Sequence, residues 1–102
     1  MKIRMWSNEI EAALTPFVGG YIGNVCLAIV ASLKTSKEPV ESLNYEIHGE
    51  SVRIILNGNN LPLNLSSGFV EKMIHDTIRG VMRPLKMDDP SGFIRIEISL
   101  TA

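Results

Sequence analysis

Cysteine is nearly missing from this sequence, Cys26 being the only one. A single thiol closes no intramolecular disulfide and excludes any metal centre that needs two or more cysteine ligands. A disulfide-stapled secreted scaffold is thereby ruled out, and a cytoplasmic setting is expected. Histidine is as scarce, with only His48 and His75. Neither has a counterpart elsewhere in the chain with which to build a His-based metal site. Net charge is missing too, because ten basic residues face eleven acidic ones. No bulk field draws such a chain toward nucleic acid or anionic lipid. Nor does a secretory leader open it, since Met1-Lys2-Ile3-Arg4 runs into polar Ser7-Asn8-Glu9.

One local absence needs its own account. From Ala12 to Leu33 there is no charged residue, a length that approaches a membrane span. Thr15, Pro16, Asn24, Ser32 and the three glycines Gly19, Gly20 and Gly23 weaken that reading. What is present elsewhere weakens it further. A chain of 102 residues with 45% apolar and 21% charged side chains is the size and composition of one globular domain.

The chain also resembles itself. Phe17, Val18 and Ile22 match Phe69, Val70 and Ile74, and Cys26, Ile29 and Val30 then fall on Ile78, Val81 and Met82. These positions follow the i, i+1, i+4, i+5 rhythm of one helix face. Downstream, the alternating Leu43, Tyr45, Ile47 meet Ile94, Ile96, Ile98, the period-two pattern of half-buried strands. Upstream, Ile3-Arg4-Met5-Trp6 lies over Ile54-Ile55-Leu56-Asn57. Asn57-Gly58 is a strong hairpin signal, and Ser7-Asn8 is expected to make the same bend less ideally. Helix two carries Glu71, Lys72, His75, Asp76, Arg79 and Arg83 between its apolar positions, so it is a surface helix with one buried face. Its uncharged counterpart belongs on the same sheet, with a second face covered.

The expected fold is therefore α+β: one domain, 1–102, made of two tandem ββαβ repeats, 1–49 and 50–102. About six mainly antiparallel strands carry two helices on one face. The elements read as strands 2–6, 10–13, 42–48, 51–57, 60–64 and 92–99, and helices 16–34 and 67–86. Thr15 is placed to cap the first helix with Pro16 at its first position, and Ser66 or Ser67 to cap the second. Pro84 should end or kink helix two near Met82. Gly49 should turn the chain from one repeat into the next.

Chemistry-bearing residues do not cluster. Cys26 falls on an apolar face, where an inert thiol is expected. Asp88-Asp89-Pro90 reads as a turn. Gly19-Gly20-Tyr21-Ile22-Gly23 lies within a helix and lacks the Lys of a phosphate loop. No cofactor and no catalytic residue is expected. Glycine costs about 1 kcal/mol against alanine inside a helix, so three glycines ask for a reason. Gly19, Gly20, Gly23, Asn24, Ala28 and Ala31 form a small-residue surface and a candidate protein interface, either with helix two or across a dimer. Arg79, Arg83 and Lys86 project along one side of helix two as a candidate anion site, sufficient only for weak, salt-sensitive nucleic-acid contact.

The run Val52-Arg53-Ile54-Ile55-Leu56-Asn57-Gly58-Asn59-Asn60-Leu61-Pro62-Leu63-Asn64, then Gly68-Phe69-Val70 and Thr77-Ile78-Arg79-Gly80-Val81-Met82-Arg83-Pro84-Leu85-Lys86, resembles a short module of archaeal and anaerobic bacterial proteins. Some chains carry that module as a tail on proteins of molybdopterin-guanine dinucleotide biosynthesis. The resemblance covers both halves, the second better, and implies no catalytic residue. The expected function is a non-enzymatic binding or assembly module working through protein contacts on the small-residue helix and the uncovered sheet face, with a protein partner or a homodimer. The alternatives are an accessory protein for an anionic cofactor or nucleotide at the helix-two basic side, and weak nucleic-acid binding.

Overall fold

The computed structural model describes residues 1–33, 38–63, 68–85 and 92–100. Eight elements follow in order: β1 (Lys2–Ser7), β2 (Ile10–Glu11), α1 (Pro16–Leu33), β3 (Ser42–His48), β4 (Ser51–Leu56), β5 (Asn59–Leu61), α2 (Phe69–Met82) and β6 (Ile94–Ser99). The six strands form one antiparallel sheet in the order β2-β1-β6-β3-β4-β5, and the two helices complete the α+β class. Exchanging β1 with β4, β2 with β5 and β3 with β6 reverses that order and returns it unchanged.

The core lies between sheet and helices. Met5, Leu43, Tyr45, Ile47, Val52, Ile54, Ile94, Ile96 and Ile98 face inward on alternate strand positions, as the pleat requires. Ile22, Cys26 and Val30 of α1 and Ile74, Ile78 and Met82 of α2 meet them, all buried. These six are among the helix positions that the sequence pattern pairs. Phe17 and Phe69, paired in the same pattern, instead point outward, at 76% and 63% exposure. The rhythm is right, but its leading position falls off the buried face. At the centre, Tyr45 stands opposite Ile96, and its hydroxyl donates 2.7 Å to the Cys26 carbonyl oxygen.

Turn chemistry sets the register. Thr15 Oγ1 accepts from the Val18 N–H at 3.2 Å, the cap expected with Pro16 at the first helical position. Gly68, at φ 78°, precedes α2 without a side-chain cap; Ser66 and Ser67 lie outside the described residues. Helix two ends at Met82, before Pro84, and not at 86. Gly49, at φ 61°, turns β3 into β4. The first hairpin differs from expectation. Its central residues are Asn8 and Glu9, both at positive φ (49° and 71°), matching Asn57 and Gly58 at 50° and 84° in the second hairpin. Ser7 pairs with Ile10 just as Leu56 pairs with Asn59. Met5 therefore answers to Ile54, a slip of two residues from the apolar alignment that set Ile3 there. An even slip keeps every side chain on its face, so the core pattern concealed it.

Both hairpins latch onto the opposite half of the chain. The Asn8 N–H donates to the Phe93 carbonyl, and Asn8 Oδ1 accepts from the Phe93 N–H, each at 2.8 Å. In the other half, the Asn57 N–H donates to the Ser42 carbonyl at 2.9 Å, and Asn57 Oδ1 accepts from the N–H groups of Glu41 and Ser42 at 2.8 and 3.1 Å.

Candidate functional site

The outer surface of the helical layer carries four large exposed apolar side chains beside the charged Lys72, Asp76 and Arg83 of α2. Phe17 and Tyr21 sit one turn apart on α1, with ring centroids 6.1 Å apart. Phe69 and Met73 occupy the same spacing on α2. Tyr21 and Met73 are 53% and 55% exposed. Between the N-terminal half of α1 and the C-terminal end of α2 lies a groove of about 320 Å³, walled by Phe17, Val18 and Tyr21 on one side and Gly80, Val81 and Leu85 on the other. Four large side chains in water on one layer exceed the scatter of single exposed apolar residues on ordinary surfaces.

The small-residue set of α1 does not form one smooth face. Gly19 and Gly23 are buried. A side chain at Gly23 would collide with Ile3 and Met1, so this glycine lets α1 lie close against the first strand of its own chain. Gly19 lies beside Leu14, while Gly20 looks onto open space. Asn24, Ala28 and Ala31 are exposed and continue the outward line of Phe17 and Tyr21. The close approach that glycine permits is thus intramolecular at Gly23, and the exposed remainder flanks the aromatic pair. By length and composition α1 is long and apolar enough to cross a membrane, with mean hydropathy 1.6, a test that the core helix of a globular domain also passes.

The basic side of α2 is engaged with the fold. Arg79 donates from one terminal nitrogen to the Gly92 carbonyl at 3.0 Å and from the other to the Gly49 carbonyl at 3.2 Å. It binds the β3–β4 turn and the segment before β6 to the helix. Arg83 is exposed at the C-terminal cap, and Lys86 lies outside the described residues. Of the two described residues, Arg79 is committed to backbone carbonyls and Arg83 alone faces solvent. His75 shares the staple. Its Nε2 lies 3.0 Å from the Gly49 carbonyl and its Nδ1 3.0 Å from Asp76 Oδ1, which makes it half-buried rather than the solvated surface residue expected. That hydrogen bond, with Lys72 nearby, holds the Asp76 carboxyl below the usual carboxylate range. Glu71 on the same helix accepts from the Val52 N–H at 2.8 Å.

Burial alone pushes the Cys26 thiol up to about 12, which keeps it protonated and unreactive at neutral pH. Among the described residues no three of His, Cys, Asp and Glu come together as a metal site. The open face of the sheet is a lattice of charge. Arg4 holds Glu11 through two 2.9 Å bonds, Arg53 pairs with Glu46 at 3.5 Å, and Arg4 and Arg95 both lie over the Trp6 ring, at 4.8 and 4.3 Å. Such a face is charged and well solvated.

Comparison with protein-family models, with curated proteins and with solved structures finds no match.

Proposed function

We propose that this chain is a non-enzymatic assembly module whose contact surface is the outer face of the helical layer, and that a second copy of the chain covers it. The carrying observation is the exposure of Phe17, Tyr21, Phe69 and Met73 on that single layer. A standard interface buries about 800 Å² per partner, and the molecule is a slab of 35 × 35 × 19 Å whose broad face has room for that area. A twofold interface requires a patch that complements itself. Two matched apolar pairs on antiparallel helices of one layer supply such a patch. Light scattering at high salt tests the reading. The wild type should show twice its 11.3 kDa mass, and F17E/F69E should return a monomer with an unchanged far-UV circular dichroism spectrum and a melting point lowered only by the lost association. A wild type that stays monomeric at about 100 µM, well above the micromolar range of weak specific complexes, refutes it.

The same reading takes the chain as one domain of two repeats, 1–49 and 50–102. The reversible strand order, the matched positive-φ turns and the reciprocal Asn8 and Asn57 latches support it. It also takes α1 as a sheet-covering helix in a cytosolic protein and not as a membrane span, because Ile22, Cys26 and Val30 are buried against the core. The module of molybdopterin-related proteins contributes no residue to this reading. An accessory role toward an anionic cofactor or nucleic acid is left with exposed Arg83 as its support, since Arg79 is committed to backbone carbonyls.

A further inference from the structure

The corner where the β1–β2 hairpin meets the start of β6 encloses a recess of about 380 Å³ lined by Trp6, Asn8, Glu9, Phe93 and Arg95. The fold contains a second corner of the same construction, where the β4–β5 hairpin meets the start of β3. There Trp6 is answered by Ile55, Asn8 by Asn57, Glu9 by Gly58, Phe93 by Ser42 and Arg95 by Asn44, as the hairpin registers and the two asparagine latches dictate. Only the latching asparagine is kept. At the matched positions the second corner has a relaxed glycine and neither an aromatic nor a charged residue, so the hairpin latch itself does not need those groups there.

The first corner is built against its own backbone preference. Glu9 holds φ 71°, where glycine is the favoured residue, and a strained non-glycine residue at a recess is an observation from which function is inferred. Arg95 is similarly poised. Its guanidinium lies 4.3 Å over Trp6, and its Nε–H is buried without a hydrogen-bond partner. Glu97 comes no nearer than 3.8 Å to that nitrogen, too far for a hydrogen bond. Stacking on Trp6, more than pairing, fixes the guanidinium, whose planar fork suits a carboxylate. The lining is balanced by one cation and one carboxylate, which disfavours a multiply charged anion such as phosphate. Phe93, itself beside the His48 ring at 5.6 Å, offers an apolar wall.

We infer that this recess binds a small zwitterion of the α-amino-acid class, its carboxylate on Arg95, its ammonium toward Glu9 and its side chain against Phe93. Trp6 is the only tryptophan in the chain, so its fluorescence reports the site directly. Titration with L-leucine should give a saturable change in Trp6 emission. Leucinol, without the carboxylate, and N-acetyl-leucine, without the ammonium, should each bind at least tenfold more weakly, and inorganic phosphate should give no saturable change. E9G restores the glycine that the turn favours. It should melt no lower than the wild type, yet lose at least tenfold in leucine affinity, as should R95Q. Three results would each overturn the inference: no saturable response to leucine at 50 mM, equal binding of either truncated analogue or of phosphate, or undiminished affinity in E9G.

Discussion

Arg79 offers the sharpest test of how this fold is held, because the sequence presents it as a binding cation and the structure as a staple. Consider Arg79→Met, which keeps the aliphatic stem and a similar helix propensity while removing the guanidinium. Two charge-assisted bonds to backbone carbonyls are lost, to Gly92 and Gly49, together with a long 3.4 Å bond to His75 Nε2. Bonds to charged groups are worth about 1.5–3 kcal/mol each. Two compensations reduce the sum. The Gly49 carbonyl keeps His75 at 3.0 Å, and Gly49 is exposed enough for water to replace the donor. The Gly92 carbonyl, half-buried, has less relief. A net loss of about 2 kcal/mol follows, or about 8–16 °C in Tm for a domain of this size. Urea denaturation followed by far-UV circular dichroism measures it, with Arg83→Met as the control. Arg83 is exposed at the helix end and should change stability by no more than about 0.5 kcal/mol. Equal losses in the two variants, or a loss below about 0.5 kcal/mol in Arg79→Met, would refute the staple.

Two further expectations come from other parts of the molecule. Gly20→Ala meets open space and should stabilise α1 by roughly 0.5–1 kcal/mol through helix propensity. Gly23→Leu must displace Ile3 and Met1 and should cost about 1–3 kcal/mol; thermal melts of the pair should move in opposite directions. On the open sheet face, the hydrogen bond from Arg4 holds the Glu11 carboxyl below its usual 4.5. A lowered folded-state value means that this contribution is full above about pH 4.5 and is lost as the pH falls through the folded value. The stability gap between wild type and Glu11→Gln should thus be largest at neutral pH and close toward pH 2–3 in urea melts. A gap that is constant with pH would contradict it.

The parts of this structure that follow from periodicity were legible in the sequence. Ile22, Cys26 and Val30 and their partners Ile74, Ile78 and Met82 were placed correctly, because burial repeats at the helical period. Leu43, Tyr45, Ile47 and Ile94, Ile96, Ile98 likewise alternate on the pleat. The first turn was misplaced because Glu9 is no turn former, and nothing local announces a glutamate at positive φ. The contact surface was sought among glycines, whose cost in a helix is readable, but the reader of a sequence cannot see that Gly23 faces Ile3. Phe17 and Phe69 were counted with the core since apolarity alone does not tell inside from outside at the edge of a helix face. Arg79 was misread because its acceptors are backbone carbonyls at Gly49 and Gly92, which carry no side-chain signal. The Trp6–Arg95 recess joins opposite ends of the chain through strand register, and register is invisible until the sheet is assembled.

The latches have a consequence for how the molecule comes apart. Asn8 closes on Phe93 across 85 positions, Asn57 reaches back to Ser42, and the central seam of the sheet joins β3 to β6. Each half therefore carries the fastener for the other, so opening of either half is expected to weaken its neighbour. The β1–β6 pairing needs the chain ends to meet, a non-local contact of the kind that slows folding. The compensation is cooperativity: loss of either corner releases both, so unfolding should proceed as a single event.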